Sequence, residues 1–110
     1  MTNITHLTAD FATSPQITPS QMQQLKSAGF STVICNRPDH EDAGQPSFAV
    51  IKAAAEAAGL EAHHIPVTPG QPFDGQIAAF DAAITAAKGK VLAYCRSGAR
   101  AQNLYNATRR

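Results

Sequence analysis

The chain has 110 residues, of which 44% are hydrophobic and 15% charged, and its formal net charge is +1. This composition excludes a disordered chain and argues against a dedicated nucleic-acid binder, which would need a basic surplus. There is no apolar run of about 18 residues and no signal-peptide pattern at the N-terminus. We therefore expect a cytoplasmic protein with no membrane partner, in which residues 1–110 form a single domain.

The first predicted elements are short strands and one helix. Residues 4–11 predict one or two strands with a polar break between them. Thr18 can then be the N-cap of a helix, because Pro19 suits the first helical position and Gln21 completes a capping box. The next segment, Thr32–Cys35, is apolar on both faces, as expected of a strand buried in a parallel sheet.

The rest of the chain alternates helices and strands. Ser47 is placed to cap a second helix, and residues 60–67 predict the strand that follows it. A third helix is predicted to begin near residue 73. Residues 91–94 predict another strand, and a last helix carries Leu104 and Tyr105. This order is typical of a three-layer α/β sandwich whose central sheet of four or five strands is mainly parallel. Ligands bind at the carboxyl ends of such strands, where the loops from Asn36, Thr68 and Cys95 are expected to meet.

The last of these loops carries the candidate chemistry. Cys95 follows an apolar strand, and Arg100 falls in the first turn of the next helix. The small residues between them, Ser97, Gly98 and Ala99, allow backbone amides to converge on an anion, and the helix dipole adds positive charge. Cysteines at helix N-termini ionise at roughly pH 3.5–7.5. We therefore predict a nucleophilic thiolate at Cys95, although a buried cysteine with no chemical role is the alternative.

The two arginines of this loop are expected to act differently. The planar fork of Arg100 can hold two oxygens of a bound anion, whereas Arg96 is expected to point out of the cradle and draw an anionic donor in.

Several motifs resemble one family of bacterial proteins. These are Gly29-Phe30 with Thr32-Val33-Ile34, Asn36-Arg37-Pro38-Asp39, Glu41 with Gly44-Gln45-Pro46-Ser47, His64-Ile65-Pro66-Val67, and Cys95-Arg96-Ser97-Gly98-Ala99-Arg100. The family consists of phosphatase-like domains, found alone or fused to β-lactamase-hydrolase-like proteins, and often named sulfurtransferases. The resemblance implies the protein tyrosine phosphatase-like fold, with Cys95 as nucleophile and the following loop as oxyanion cradle. It also implies a link to sulfide detoxification, with a persulfide dioxygenase of the metallo-β-lactamase fold as a partner on a separate chain.

The sequence departs from true phosphatases in three respects. Four residues separate Cys95 from Arg100, the spacing of rhodaneses, where phosphatases have five. Tyr94 stands where phosphatases usually have histidine. The loop over residues 68–72 has no carboxylate to act as general acid, and Asp74 is expected in the first turn of a helix instead.

Sulfur transfer tolerates these departures, because its leaving groups need no proton. The leading prediction is a rhodanese-like sulfurtransferase that forms a Cys95 persulfide from thiosulfate or a persulfide. A dual-specificity-type phosphatase that forms a phosphocysteine is the alternative, and a non-catalytic anion-binding module is a further one.

Other residues are candidates for a supporting role. Arg37, Asp39 and Thr68 lie in loops at the predicted active edge, and Asp39 or Glu41 is a possible replacement for the missing acid. Glu41 and Asp42 are otherwise expected to be solvated charges. Cys35 either resolves a Cys95 persulfide or is a small buried hydrophobe. The histidines lack zinc spacing and there is no glycine-rich nucleotide motif, so we expect neither a metal nor a cofactor.

Overall fold

A computed structural model describes residues 4–68 and 70–109 of the chain. The strands are β1 (Thr5–His6), β2 (Phe11–Ser14), β3 (Phe30–Cys35), β4 (Glu61–His64) and β5 (Lys90–Tyr94). The helices are α1 (Met22–Ser27), which follows a 3-10 turn (Pro19–Gln21), α2 (Phe48–Ala57), α3 (Asp74–Ala86) and α4 (Ala99–Thr108). The predicted α/β sandwich is confirmed.

The five strands form one sheet in the order β1-β2-β5-β3-β4. Only β1 runs antiparallel to its neighbour, β2, and the other three pairings are parallel. The four parallel strands therefore end at the same edge of the sheet, with Ser14, Cys35, His64 and Tyr94 as their last residues. The loops that follow these residues meet there.

A separate hydrophobic core covers each face of the sheet. One face packs against α1 and α2 through residues such as Leu25, Ile51 and Ala55, and the other packs against α3 and α4 through Phe80 and Leu104. Strand β5 contributes to both faces because its side chains alternate: Leu92 and Tyr94 belong to the first core, Val91 and Ala93 to the second.

The two helix caps predicted from the sequence, at Thr18 and Ser47, are present. The side-chain oxygen of Gln21 accepts a hydrogen bond of 2.7 Å from the backbone N–H of Thr18, which completes a capping box. The hydroxyl of Ser47 accepts one of 3.3 Å from the N–H of Val50 at the start of α2. These contacts satisfy backbone donors that have no partner within the helix.

Strand β4 is shorter than predicted, since it ends at His64 rather than near Val67. The chain still follows β3 beyond that point, because Ile65 N–H donates to Cys35 O and Val67 N–H donates to Asn36 O. Pro66 lies between them, at a position whose N–H would point away from β3, as this edge strand allows. The regular ladder ends because donors two positions apart bond to the adjacent carbonyls of Cys35 and Asn36. No helix in residues 4–68 and 70–109 is long and apolar enough to span a membrane.

Candidate active site

Cys95 lies at the point where β5 passes into the loop before α4. Its side chain is fully buried, and the backbone N–H of Gly98 donates a hydrogen bond of 3.0 Å to its Sγ. Its own N–H donates to Ser14 O at 3.3 Å, which fixes the loop against the end of β2. The nucleophile predicted from the sequence is thus held on a backbone donor at the active edge.

Gly98 turns the chain from the loop into α4. Its φ of 95° lies in the left-handed region, which side chains other than hydrogen rarely allow. This conformation directs its N–H toward Cys95 while its carbonyl accepts the first hydrogen bond of α4, from Gln102 N–H at 3.0 Å. The glycine therefore links Cys95 to the helix.

The rest of the predicted cradle faces outward. Arg96, Ser97 and Ala99 are exposed, and the N–H of Ala99 donates to Ser97 Oγ at 3.3 Å. The side chain of Arg96 is 72% exposed and lies 3.4 Å from a carboxylate oxygen of Asp42. Of the four residues between Cys95 and Arg100, Gly98 is the one that contacts the sulfur through an assigned hydrogen bond.

Arg100 is held by a carboxylate from a distant loop. Its Nη1 and Nη2 donate to the two oxygens of Glu41 at 2.8 and 2.7 Å, and Nη1 also donates to Val67 O at 2.9 Å. The hydrogen bond to Glu41 raises the pKa of the Arg100 guanidinium, and the nearby Cys95 adds to the shift. Arg100 is therefore a fixed, permanent cation beside Cys95.

Glu41 is shared between two arginines. Arg37, whose side chain is 2% exposed, donates from Nε to Glu41 Oε1 at 3.0 Å, from Nη2 to Asp42 at 2.8 Å and from Nη1 to Gln16 at 2.9 Å. The hydrogen bond from Arg100, followed by that from Arg37, lowers the pKa of the Glu41 carboxyl. The expectation of a solvated loop charge is wrong for Glu41, which joins the β3–α2 loop to the Cys95 loop, whereas Asp42 is exposed.

Asp39 caps a helix instead of contacting the Cys95 loop. Its Oδ1 accepts a hydrogen bond of 2.8 Å from the backbone N–H of Phe48, the first residue of α2. Thr68 is exposed and lines a cavity of about 160 Å³ that also reaches Arg100. Asp74 occupies the first turn of α3, as the sequence predicts.

The second cysteine packs on the α1–α2 face of the sheet. Cys35 is paired in register with Tyr94, packs in the α1–α2 core and donates from its thiol to Arg37 O at 3.3 Å. Burial raises the pKa of this thiol. Both cysteines are free thiols, and the resolving role of Cys35 stays a prediction. Among the described residues, no three His, Cys, Asp or Glu side chains are grouped as metal ligands.

Known proteins are similar to this chain in sequence and in fold. Residues 3–109 match the family model described as the beta-lactamase hydrolase-like protein, phosphatase-like domain. A beta-lactamase hydrolase-like protein of Agrobacterium fabrum is 41% identical over 81 residues, which are 74% of this chain and 19% of that protein. The chain thus matches about a fifth of the length of this curated relative.

Solved structures of similar fold include proteins of the same kind. A candidate phosphatase from Neisseria meningitidis Z2491 superposes with a TM-score of 0.87 at 40% identity, covering 96% of this chain and 75% of that one. The active form of Tk-PTP superposes with a TM-score of 0.68 at 19% identity, covering 86% of this chain and 63% of that one, and is a likeness of fold alone. The predicted protein tyrosine phosphatase-like fold is confirmed. With the match over nearly its whole length, the chain belongs to the family of phosphatase-like domains of beta-lactamase hydrolase-like proteins.

Proposed function

We propose that this domain is a cysteine-dependent sulfurtransferase in which Cys95 takes a sulfane sulfur and carries it as a persulfide. The contact that supports a nucleophilic role is the 3.0 Å hydrogen bond from Gly98 N–H to Cys95 Sγ, since a backbone donor stabilises negative charge on sulfur. Arg100, fixed in the same loop, supplies a permanent positive charge for an anionic donor.

The engagement of two candidate acids in other contacts is the observation that supports sulfur over phosphate. Phosphate monoester cleavage needs an acid to protonate an alkoxide, a contribution of about 10²–10⁴-fold. In the described part of the chain, two of the three carboxylates considered for this role accept other hydrogen bonds, and the third lies at the start of a helix. Glu41 is paired with two arginines that lower its pKa, Asp39 caps α2, and Asp74 belongs to the first turn of α3.

Sulfur transfer proceeds without that acid. The Cys95 thiolate attacks the outer sulfur of thiosulfate, the S–S bond breaks, and its electron pair leaves with sulfite. The persulfide anion that remains passes its outer sulfur to a thiolate acceptor or to cyanide, which restores the thiolate. No step needs a proton from the protein, because the leaving groups are stable anions.

A cysteine-dependent phosphatase is the second candidate, and the comparisons favour it. The family description is phosphatase-like, and the Neisseria relative is a candidate phosphatase. In this reaction Cys95 would attack phosphorus, form a phosphocysteine and release an alcohol that must gain a proton. Both proposals use Cys95 as the nucleophile, and the group that it accepts separates them.

The proposal also covers the extent of the domain, its cellular location and its partner. We retain residues 1–110 as a single domain, a reducing cytoplasmic location that keeps Cys95 reduced, and a persulfide dioxygenase of the metallo-β-lactamase fold as the partner that consumes its product. Incubation with such an enzyme would test the partnership: oxygen uptake driven by thiosulfate and thiol should require both proteins.

A paired assay on one preparation tests the function. We expect thiocyanate formation from thiosulfate and cyanide to exceed hydrolysis of p-nitrophenyl phosphate. Cys95→Ser should abolish the transfer, whereas Cys35→Ala, the matched change at the other cysteine, should keep most of it. After thiosulfate treatment, intact mass should rise by about 32 Da, reversibly on reduction. Phosphate hydrolysis that depends on Cys95, with no thiocyanate formed, would establish the phosphatase instead.

A further inference from the structure

A cavity of about 160 Å³ lies between the first turns of α4 and the segment that joins β4 to α3. Val67, Phe73 and Leu104 give it an apolar wall, Gln71 and Asn103 are exposed residues of its lining, and Arg100 borders it on the side of the Cys95 loop. An apolar cavity of roughly 150 Å³ is large enough to hold benzene. The space therefore fits an apolar group of the size of a phenyl ring.

Arg100 connects this cavity to the nucleophile. A guanidinium has five N–H donors, and Arg100 directs two of them to Glu41 and one to Val67 O. Its hydrogen bond with Cys95 engages a fourth, which leaves one for an anionic group bound beside Cys95. A molecule with its anionic end on this donor and an apolar group attached to it would place that group against Phe73 and Leu104.

The ion-pair network that includes Arg100 favours a donor with a single negative charge. Three arginines, at 37, 96 and 100, are paired with two carboxylates, those of Glu41 and Asp42. A thiolate at Cys95 brings the sum of these six charges to zero. A dianion such as thiosulfate or a phosphate monoester would add two negative charges to a balanced site, whereas a monoanion adds one.

We infer that the preferred sulfur donor is a monoanionic sulfane-sulfur compound carrying a phenyl-sized apolar group, and that this group occupies the cavity beside Arg100. The inference rests on the proposed sulfur transfer. With benzenethiosulfonate, the Cys95 thiolate attacks the terminal sulfur, the S–S bond breaks and its electron pair leaves with benzenesulfinate. The Cys95 persulfide anion that remains transfers its outer sulfur to cyanide, giving thiocyanate and the original thiolate.

Binding of unreactive sulfonates tests the cavity without turnover. We expect wild-type protein to bind benzenesulfonate at least tenfold more tightly than methanesulfonate in isothermal titration calorimetry. Asn103→Phe, which puts an aromatic ring into the mouth of the cavity, should reduce that ratio to about threefold or less. Asn106→Phe, an equally exposed position on α4 outside the cavity, should leave it unchanged. Equal affinity of wild-type protein for the two sulfonates would overturn the inference.

Measurements of turnover distinguish a failure of this inference from a failure of the proposed function. The kcat/KM for benzenethiosulfonate should exceed that for methanethiosulfonate at least tenfold in wild-type protein and in Asn106→Phe, and the ratio should collapse in Asn103→Phe. Transfer from both donors with equal efficiency would overturn the cavity assignment and leave the sulfurtransferase standing. No transfer from any donor, with benzenesulfonate still bound selectively, would overturn the sulfurtransferase and its donor while retaining the apolar subsite.

Discussion

At the scale of single residues, the carboxylate of Glu41 determines how two arginines are placed. It accepts hydrogen bonds from Arg37, which is fully buried, and from both terminal nitrogens of Arg100. Exposed ion pairs contribute about 0–1 kcal/mol, but a buried cation that loses its partner is costly. Glu41 thus stabilises the fold through Arg37 and orients the site through Arg100.

Replacing this carboxylate tests the structural part of its role. We expect Glu41→Gln to lower the free energy of unfolding by about 2 kcal/mol, because buried Arg37 loses a charged acceptor. Urea denaturation measures the change. Glu56→Gln, on the exposed side of α2, serves as control and should stay within about 0.5 kcal/mol of wild type. Equal effects of the two substitutions would contradict the role assigned to Glu41.

The guanidinium of Arg100 is the subject of a second prediction. Arg100→Lys keeps the charge but not the two-pronged contact with Glu41, so we expect kcat/KM for sulfur transfer to fall at least tenfold. Arg96→Lys is the matched change four positions earlier, at an arginine that is mostly exposed. It should lower kcat/KM for sulfur transfer less than threefold. A comparable loss in both variants would mean that charge, and not geometry, matters in this loop.

Sequence reasoning located Cys95 and Arg100 because their signal is local: an apolar strand, small residues and a helix within a few positions. It missed the role of Glu41, because Arg100 lies 59 positions away and nothing in the loop sequence indicates that contact. The same limit applies to Cys35, whose face of the sheet becomes known only when its register with Tyr94 is seen.

At the scale of elements, the turn from β5 into α4 depends on a left-handed residue. Gly98 adopts a φ of 95°, and a Cβ there would lie 3.4 Å from the backbone carbon of Ser14. An L-residue in this conformation costs about 1–2 kcal/mol. The conformation also aims the N–H at Cys95, so stability and chemistry depend on the same dihedral angle.

We therefore expect Gly98→Ala to destabilise the protein by about 1–2 kcal/mol and to lower the rate of sulfur transfer. Gly75→Ala is the contrasting control, since Gly75 lies within α3 with open space around it, and it should stabilise by roughly 0.5–1 kcal/mol. Thermal unfolding and thiocyanate formation measured on both variants check this. An unchanged rate in a folded Gly98→Ala protein would argue against a role for this amide.

The elements themselves were largely predictable. Capping residues such as Ser47 and apolar periods mark helices and strands within short windows, and the predicted α/β order is the observed one. The end of β4 was not predictable, because it depends on how the strand meets β3. Ile65 and Val67 still bond to the chain at the end of β3, but they use the adjacent carbonyls of Cys35 and Asn36, and the regular pairing ends there.

At the scale of the whole molecule, stability should depend on pH at both ends of the range. Glu41 has a lowered pKa in the folded protein, so its contribution is present above roughly pH 4.3 and is lost as the pH falls through its folded pKa. Cys35 has a raised pKa, so the folded state loses stability as the pH rises above roughly 8.5.

Urea unfolding between pH 3 and pH 10 should therefore give a plateau from about pH 5 to 8. The acid-side decline should be shallower in Glu41→Gln, and the alkaline decline shallower in Cys35→Ala. If each substitution shifted the whole curve without changing either slope, the two groups would not be the ones that titrate.

The network around buried Arg37 has a consequence for biosynthesis. Arg37 bonds to Gln16 ahead of it and to Glu41 after it, and Glu41 waits for Arg100 near the end of the chain. A nascent polypeptide whose residue 100 is still inside the ribosome lacks that cation. The network is consequently completed only after Arg100 has emerged, and thiol labelling of Cys95 during synthesis would report when this segment folds.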